Sequence, residues 1–189
     1  AKAIFNQDEV DSEMRRAAKA VNFGIIYGIG AWSLSDDINV SPKEAQRLID
    51  DYLNLYPEIK TYMEDIVNYA KEHDYVKTLM NRRRYIPELK SSVYTQRMFG
   101  ERTALNAPIQ GSAADILKKA MIDLHMYLKK ENKKSKILLQ VHDELILDIV
   151  EEELEEMKEI VPKMMGKAVD LKVKLETSCD VGSTWYDLK

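Results

Sequence analysis

Residues 14–28 read MRRAAKAVNFGIIYG. Placed on a helix at 100° per residue, Arg15, Lys19, Phe23 and Tyr27 recur at steps of four. They form a slowly drifting stripe about 120° wide and, at ~1.5 Å rise per residue, about 18 Å long. Met14, Ala18, Val21 and Ile25 fall nearly opposite and make the natural core face. Two aromatic side chains are therefore left on the non-core face, in line with two cations. A solvated face has no need of Phe23, and a buried face does not tolerate Arg15 and Lys19 unpaired. A nucleoside triphosphate suits the stripe: cations offset phosphate charge, and rings further along meet sugar and base. From spacing alone, a helix packed on both faces with a cationic rim fits equally well.

Working outward, Asp11 or Ser12 can cap this helix, predicted over about 12–27, and Gly28 and Gly30 stop it. Ser41-Pro42-Lys43-Glu44 is a capping box with Pro at the first helical position. A helix follows it to about Asn54, and Tyr56-Pro57 starts another that ends near His73-Asp74. The runs YVKTLM and RRRYIP flank Asn81 and predict a short hairpin. Helical pattern resumes near Tyr94 and is expected to break at Asn106-Ala107-Pro108, with Ser112 and Asp115 capping a new long helix to about Lys130. ENKKS is a polar loop. ILLQV and LILDI are strand-like, a helix is predicted over about 151–168, and alternation near Lys172–Val181 suggests a last strand. Trp32 and Trp185 read as packing residues, Met164 and Met165 as core, Lys129–Lys136 as a solvated charge run, and Cys179 as inert.

The chain has 189 residues, 45% hydrophobic and 32% charged, a globular balance too apolar for disorder. With 7 glycines and 5 prolines it holds about half the usual share of breakers, so it should be mostly helical. No run of about 18 apolar residues exists, which excludes a helical membrane span. A single cysteine excludes an intrachain disulfide and a Cys-built zinc site, and fits a cytoplasmic protein. The start at Ala1-Lys2-Ala3, with no signal peptide and no methionine, suggests a fragment.

The net charge of −4 rules out a globally basic coat for nucleic acid, but the charge is segregated. From Lys77 to Arg102 there are seven basic residues against Glu88 and Glu101; from Asp143 to Glu159 there are nine acids against Lys158. The acidic run reads as a solvated helix face. The basic one, with Arg82-Arg83-Arg84 at its centre, suits phosphate contact, most simply with a template strand, and a merely solvated surface run is the alternative.

Two further stretches carry chemistry. His142, Asp143 and Glu144 separate two apolar runs, so a tight hairpin projects them at its tip. Adjacent acids there repel unless they are solvated or bind a cation. Mg²⁺ takes one or two carboxylates with phosphate oxygens and waters, and phosphoryl transfer on two metals needs carboxylates that bridge ions about 3.5–4 Å apart. An ordinary polar turn is the alternative. In ERTALNAPIQGSAAD, Arg102, Asn106 and Gln110 fall at steps of four. Long polar donors of this kind suit the acceptors that every base pair shows in the minor groove; taken alone, the segment reads better as Asn106 and Gln110 satisfying backbone near Pro108.

Taken literally, MRRAAKAVNFGIIYG resembles the nucleotide-binding motif of bacterial family A DNA polymerases, the DNA polymerase I family. Its pattern, Arg-x-x-x-Lys-x-x-x-Phe-Gly-x-x-Tyr-Gly, is satisfied by Arg15, Lys19, Phe23, Gly24, Tyr27 and Gly28 without a gap. QVHDE resembles the family's second carboxylate motif, and ERTALNAPIQGSAAD the segment that follows the primer–template minor groove. The resemblance implies that Arg15 and Lys19 grip the incoming triphosphate, with Lys19 counted among the catalytic residues. Phe23 would lie against sugar and base, and Tyr27 would help seat the templating base. Asp143 would bind metal with Glu144 beside it, as part of a site for two Mg²⁺, and His142 would touch the primer end. Gly28, Arg84, Arg102, Asn106 and Gln110 would lie along DNA. A His-Asp phosphohydrolase is discounted, because it needs more His and Asp ligands on helices than His73, His125 and His142 allow.

The implied fold class is α+β: a mostly helical fingers subdomain over 1–105, then over 106–189 a long helix and the C-terminal part of an antiparallel-sheet palm with the metal-binding hairpin. The implied activity is template-directed addition of deoxynucleotides to a primer 3′ end by two-metal phosphoryl transfer, in replication and repair. Expected partners are primer–template DNA, a deoxynucleoside triphosphate and the rest of the polymerase chain upstream; the enzyme is expected to be a monomer, with no membrane partner. The family carries its other metal-binding aspartate on an upstream palm strand, so the fragment alone is expected to be inactive. A non-catalytic nucleic-acid-binding module is the alternative class, and a P-loop enzyme fails for want of GxxxxGK[ST].

Overall fold

Asp11 accepts a hydrogen bond from the Met14 amide at 2.7 Å and so starts α1 (Ser12–Ile26). The computed structural model describes Lys2 and residues 8–188; Ala1 and Ala3, at the expected fragment start, and Lys189, the last residue of the expected palm part, lie outside the described residues. The chain divides into two compact units, residues 1–110 and 111–189. In the first, α1 is followed by α2 (Ala31–Ile38), α3 (Pro42–Leu55) and α4 (Pro57–His73). Ser41 accepts from the Glu44 amide at 3.2 Å with Pro42 in the first turn, as the capping box requires. Val21, Ile25, Leu34, Ala45 and Tyr52 form one buried cluster between α1, α2 and α3.

Asp74, left-handed at φ 68°, turns α4 into β1 (Tyr75–Lys77), which pairs antiparallel with β2 (Arg83–Tyr85) around Asn81, also left-handed at φ 61°. Asn and Asp tolerate that region better than other non-Gly residues. Val76 points inward and joins Ala70, Ile86, Leu89 and Ala104 in a second buried cluster.

The second unit packs the later part of α5 (Tyr94–Lys130) with β3 (Lys136–Val141), β4 (Glu144–Asp148) and α6 (Leu154–Gly166). Its core is Leu124, Leu128, Met157 and Val161, with Ile137, Leu145, Leu147, Met164 and Met165 packed against it. The junction before α6 is held by one carboxylate. Glu153 accepts from the Lys134 and Ser135 amides at 2.9 and 3.0 Å. Hydrogen bonding from the Ser135 side chain, then from the Lys134 amide, holds Glu153 down to about 2. Nearby, Tyr127 donates to Glu156 at 2.5 Å, and that bond, with burial, pushes the phenol up to about 12.

Three expectations fail. The break at Asn106-Ala107-Pro108 is absent: α5 runs 37 residues through Pro108, so Ser112 and Asp115 are buried mid-helix and do not cap a new start. An interior proline costs ~3 kcal/mol. That cost is outweighed because the helix buries Ala104 and Leu105 before it and Ala120, Leu124 and Leu128 after it. The predicted last strand is also absent: residues 172–181 lie in no ladder, and Val173 is 77% exposed. Trp32 is not a packing residue, being 76% exposed near the start of α2.

Candidate nucleotide and nucleic-acid site

The two faces of α1 are sharply divided. Ala18, Val21 and Ile25 are at most 4% exposed, while Arg15, Lys19 and Phe23 lie in solvent and Tyr27 is half-buried. The rings of Phe23 and Tyr27 stack at 6.4 Å with 27° between planes. Arg16, off the stripe, reaches Glu13 at 3.9 Å. Arg15 and Lys19 have no acidic partner among the described residues, so both cations are available to an anion.

The end of α1 explains the motif's glycines. Ile29 N–H donates to Gly24 C=O at 2.8 Å and Gly28 N–H to Ile25 C=O at 2.9 Å, the paired bonds of a Schellman cap. Gly28 takes the left-handed position at φ 75°. A Cβ on Gly24 would stand 2.9 Å from Ile29 Cγ2, so Ile29 folds into the space that the missing side chain leaves. The cap stops the helix one turn after Phe23 and holds Tyr27 at its end.

The hairpin forms as expected, but its loop has two residues, so Asp143 is at the tip and Glu144 opens β4. Val141 pairs with Glu144, leaving His142 and Asp143 at the tip. His142 is left-handed at φ 52°, and its carbonyl accepts from Gln140 Nε2 at 2.8 Å. Such positive φ lets a two-residue loop match the twist of its strands. His142, Asp143 and Glu144 are all exposed, and neighbouring residues at a strand start diverge to opposite faces. No group of three or more His, Cys, Asp or Glu side chains that could hold a metal ion occurs among the described residues. One open carboxylate nevertheless suits an ion that keeps waters and phosphate oxygens as its other ligands.

On α5, Arg102 and Gln110 are exposed and Asn106 is half-buried, opposite buried Ala104 and Leu105. Asn106 Oδ1 is buried without a hydrogen-bond partner among the described residues. An unsatisfied buried acceptor is uncommon and costs ~1–3 kcal/mol, so it calls for a donor from outside the described residues.

The Arg82–Arg84 run divides between faces. Arg83 lies over the Tyr75 ring at 4.6 Å, whereas Arg84 pairs across the ladder with Val76 on the other face and is exposed. Sequence reasoning missed the cluster that takes up Arg83: Tyr69 stacks on His73 at 4.1 Å, and Tyr75 meets Tyr69 and Tyr85 edge-on at 5.9 and 5.6 Å. The step of four from Tyr69 to His73 and the placement of Tyr75 and Tyr85 at equal distances from the turn were the available signals.

The family model described as DNA polymerase family A matches residues 1–187, and the chain belongs to that family. It is 53% identical to DNA polymerase I of Bacillus caldotenax over 97% of its length, and 54% identical to DNA polymerase I of Bacillus subtilis (strain 168), also over 97%. It spans about a fifth (21%) of the length of each of those relatives. Among solved structures it is similar to the POL domain of Pol1 from M. smegmatis in complex with DNA primer-template and dNTP. The TM-score is 0.88 at 42% identity, covering 93% of this chain and 31% of that one. The mostly helical fold with small antiparallel sheets is the one expected of this family.

Proposed function

We propose that this chain is the nucleotide-binding part, with one metal-binding carboxylate, of a longer DNA polymerase that adds deoxynucleotides to a primer 3′ end under direction of a template. The observation that carries the reading is the open row Arg15, Lys19, Phe23, Tyr27 on a helix whose other face is fixed in the core. Arg15 and Lys19 offset the charge of the incoming triphosphate. Phe23 packs against its sugar and base, and Tyr27, held by the Gly28 cap, helps seat the templating base. The first unit acts as fingers and the second as part of the palm.

Arg102, Asn106 and Gln110 follow the minor groove of the new duplex, where the orphaned Asn106 oxygen finds a donor. Arg84 contacts a template phosphate, and His142 lies by the primer end. Asp143, with Glu144 beside it, would hold Mg²⁺, which when bound would supply Lewis-acid chemistry for phosphoryl transfer. We place the enzyme in the cytoplasm as a monomer that serves replication and repair.

Primer extension by the complete polymerase with Asp143→Ala tests this reading. Extension is expected to disappear while primer–template affinity persists. Near-normal extension would sink the assignment.

A further inference from the structure

We infer that Gly28 is a positioning residue: it sets the register between the Tyr27 end of α1 and the Arg102–Leu105 turn of α5, at a seam with no room for a side chain. A Cβ on Gly28 would stand 2.8 Å from Leu105 Cδ1, 3.4 Å from Arg102 Cγ and 4.0 Å from Arg102 Cα. The Arg102 atoms are at ordinary contact distance, so the crowding is with Leu105, which is 5% exposed and can move its δ carbon only by repacking the core around it. Close packing of this kind transmits a displacement and does not absorb it. Gly30, two residues on, has nothing within 4 Å of a Cβ built there. The crowding therefore belongs to position 28 and not to the whole turn.

The seam has a particular place. On one side is the residue after Tyr27, the last member of the stripe on α1. On the other is Arg102, the first member of the row Arg102, Asn106, Gln110 on α5. The helix proposed to hold the nucleotide and the row proposed to follow the duplex thus touch at a bare backbone atom, and the inference rests on that reading of both. Arg15 lies about 20 Å from Gly28 along the helix axis. A wedge at Gly28 displaces the Tyr27 end and leaves the Arg15 and Lys19 end nearly in place. It should disturb alignment of the nucleotide against its template base, and so the chemical step and pair selection, more than the grip on the triphosphate.

The test measures single-nucleotide extension by the complete polymerase, with kcat and KM for matched and mismatched nucleotides. Gly28→Ala should lower kcat for the matched nucleotide about tenfold or more, change KM by less than about threefold, and narrow discrimination against mismatches. Gly30→Ala should stay within about twofold of wild type on every count. Leu105→Val alone, which opens the seam without altering φ at 28, should give a smaller loss of the same kind. Leu105→Val placed in Gly28→Ala should recover at least about threefold relative to the product of the two single losses, because it removes the clashing Cδ1. Gly28→Ala indistinguishable from Gly30→Ala overturns the inference. So does strict additivity with Leu105→Val, which would leave only backbone strain at φ 75°. Lys19→Ala, measured alongside, separates the two layers: nucleotide KM and kcat both unchanged there overturn the nucleotide reading itself, whereas a loss in either with a normal Gly28→Ala overturns only the seam.

Discussion

Ile25 and Phe23 lie two residues apart on α1 and should respond oppositely to truncation. Ile25 is 1% exposed inside the cluster of Val21, Leu34, Ala45 and Tyr52. Ile25→Ala removes three buried carbons, worth ~0.8 kcal/mol each in transfer, and leaves a cavity, for a total of about 3–4 kcal/mol. Phe23 is 52% exposed and contacts Tyr27 at 6.4 Å between ring centroids. Phe23→Ala loses about half a buried ring and a weak stacking contact, and gains helix propensity, for a net cost of about 1 kcal/mol or less. The assay is hydrogen–deuterium exchange of the α1 amides in the complete polymerase, read beside nucleotide incorporation. Ile25→Ala should raise α1 exchange by roughly two hundred- to a thousandfold, whereas Phe23→Ala should leave exchange within about fivefold and still impair incorporation. Refutation would be Phe23→Ala opening α1 as far as Ile25→Ala does, because the stripe would then be a second packing face and not a ligand surface.

Two other outcomes follow from the second unit. Glu153 sits at about 2 against an ordinary 4.5, so its stabilising bonds are fully present above about pH 4.5 and are lost as pH falls towards 2. In acid unfolding followed by circular dichroism, the deficit of Glu153→Gln relative to wild type should therefore shrink below pH 4.5 and vanish near 2; a deficit constant with pH refutes the assignment. Tyr127, held neutral by Glu156, contributes on the opposite side: its stabilisation is complete below pH 10 and is lost as pH rises through about 12. The 189-residue chain alone with Mg²⁺ should not extend a primer, because consecutive Asp143 and Glu144 diverge and cannot by themselves bridge two ions. Robust extension would show a metal site built differently.

What could be read from residues alone was whatever local physics decides. The α1 start at Asp11, its end at Gly28 and the Ser41 box are satisfied within a few residues, and the structure keeps them. The tip of the β3–β4 hairpin was legible for the same reason: two apolar runs so close together leave one geometry. Pro108 was misread because its local cost competes with burial of Ala104, Leu105, Leu124 and Leu128, to which sequence rules are blind. The stretch 172–181 alternates like a strand, yet a strand exists only with a neighbour to bond, and alternation cannot supply one. The seam between Gly28 and Leu105 joins residues far apart in the chain, and the Asn106 orphan is visible only once its surroundings are packed.

The central claim is that the exposed row on α1 holds a nucleoside triphosphate, and Lys19 tests it most directly. Its ammonium stands in solvent in line with Arg15, without an acidic partner among the described residues. A charge-assisted contact to phosphate is worth about 1.5–3 kcal/mol, or roughly ten- to a hundredfold. Lys19→Ala in the complete polymerase should weaken apparent nucleotide affinity or incorporation by that factor and leave primer–template affinity within about twofold. Nucleotide affinity and incorporation both unchanged, or a loss confined to DNA binding, would contradict it.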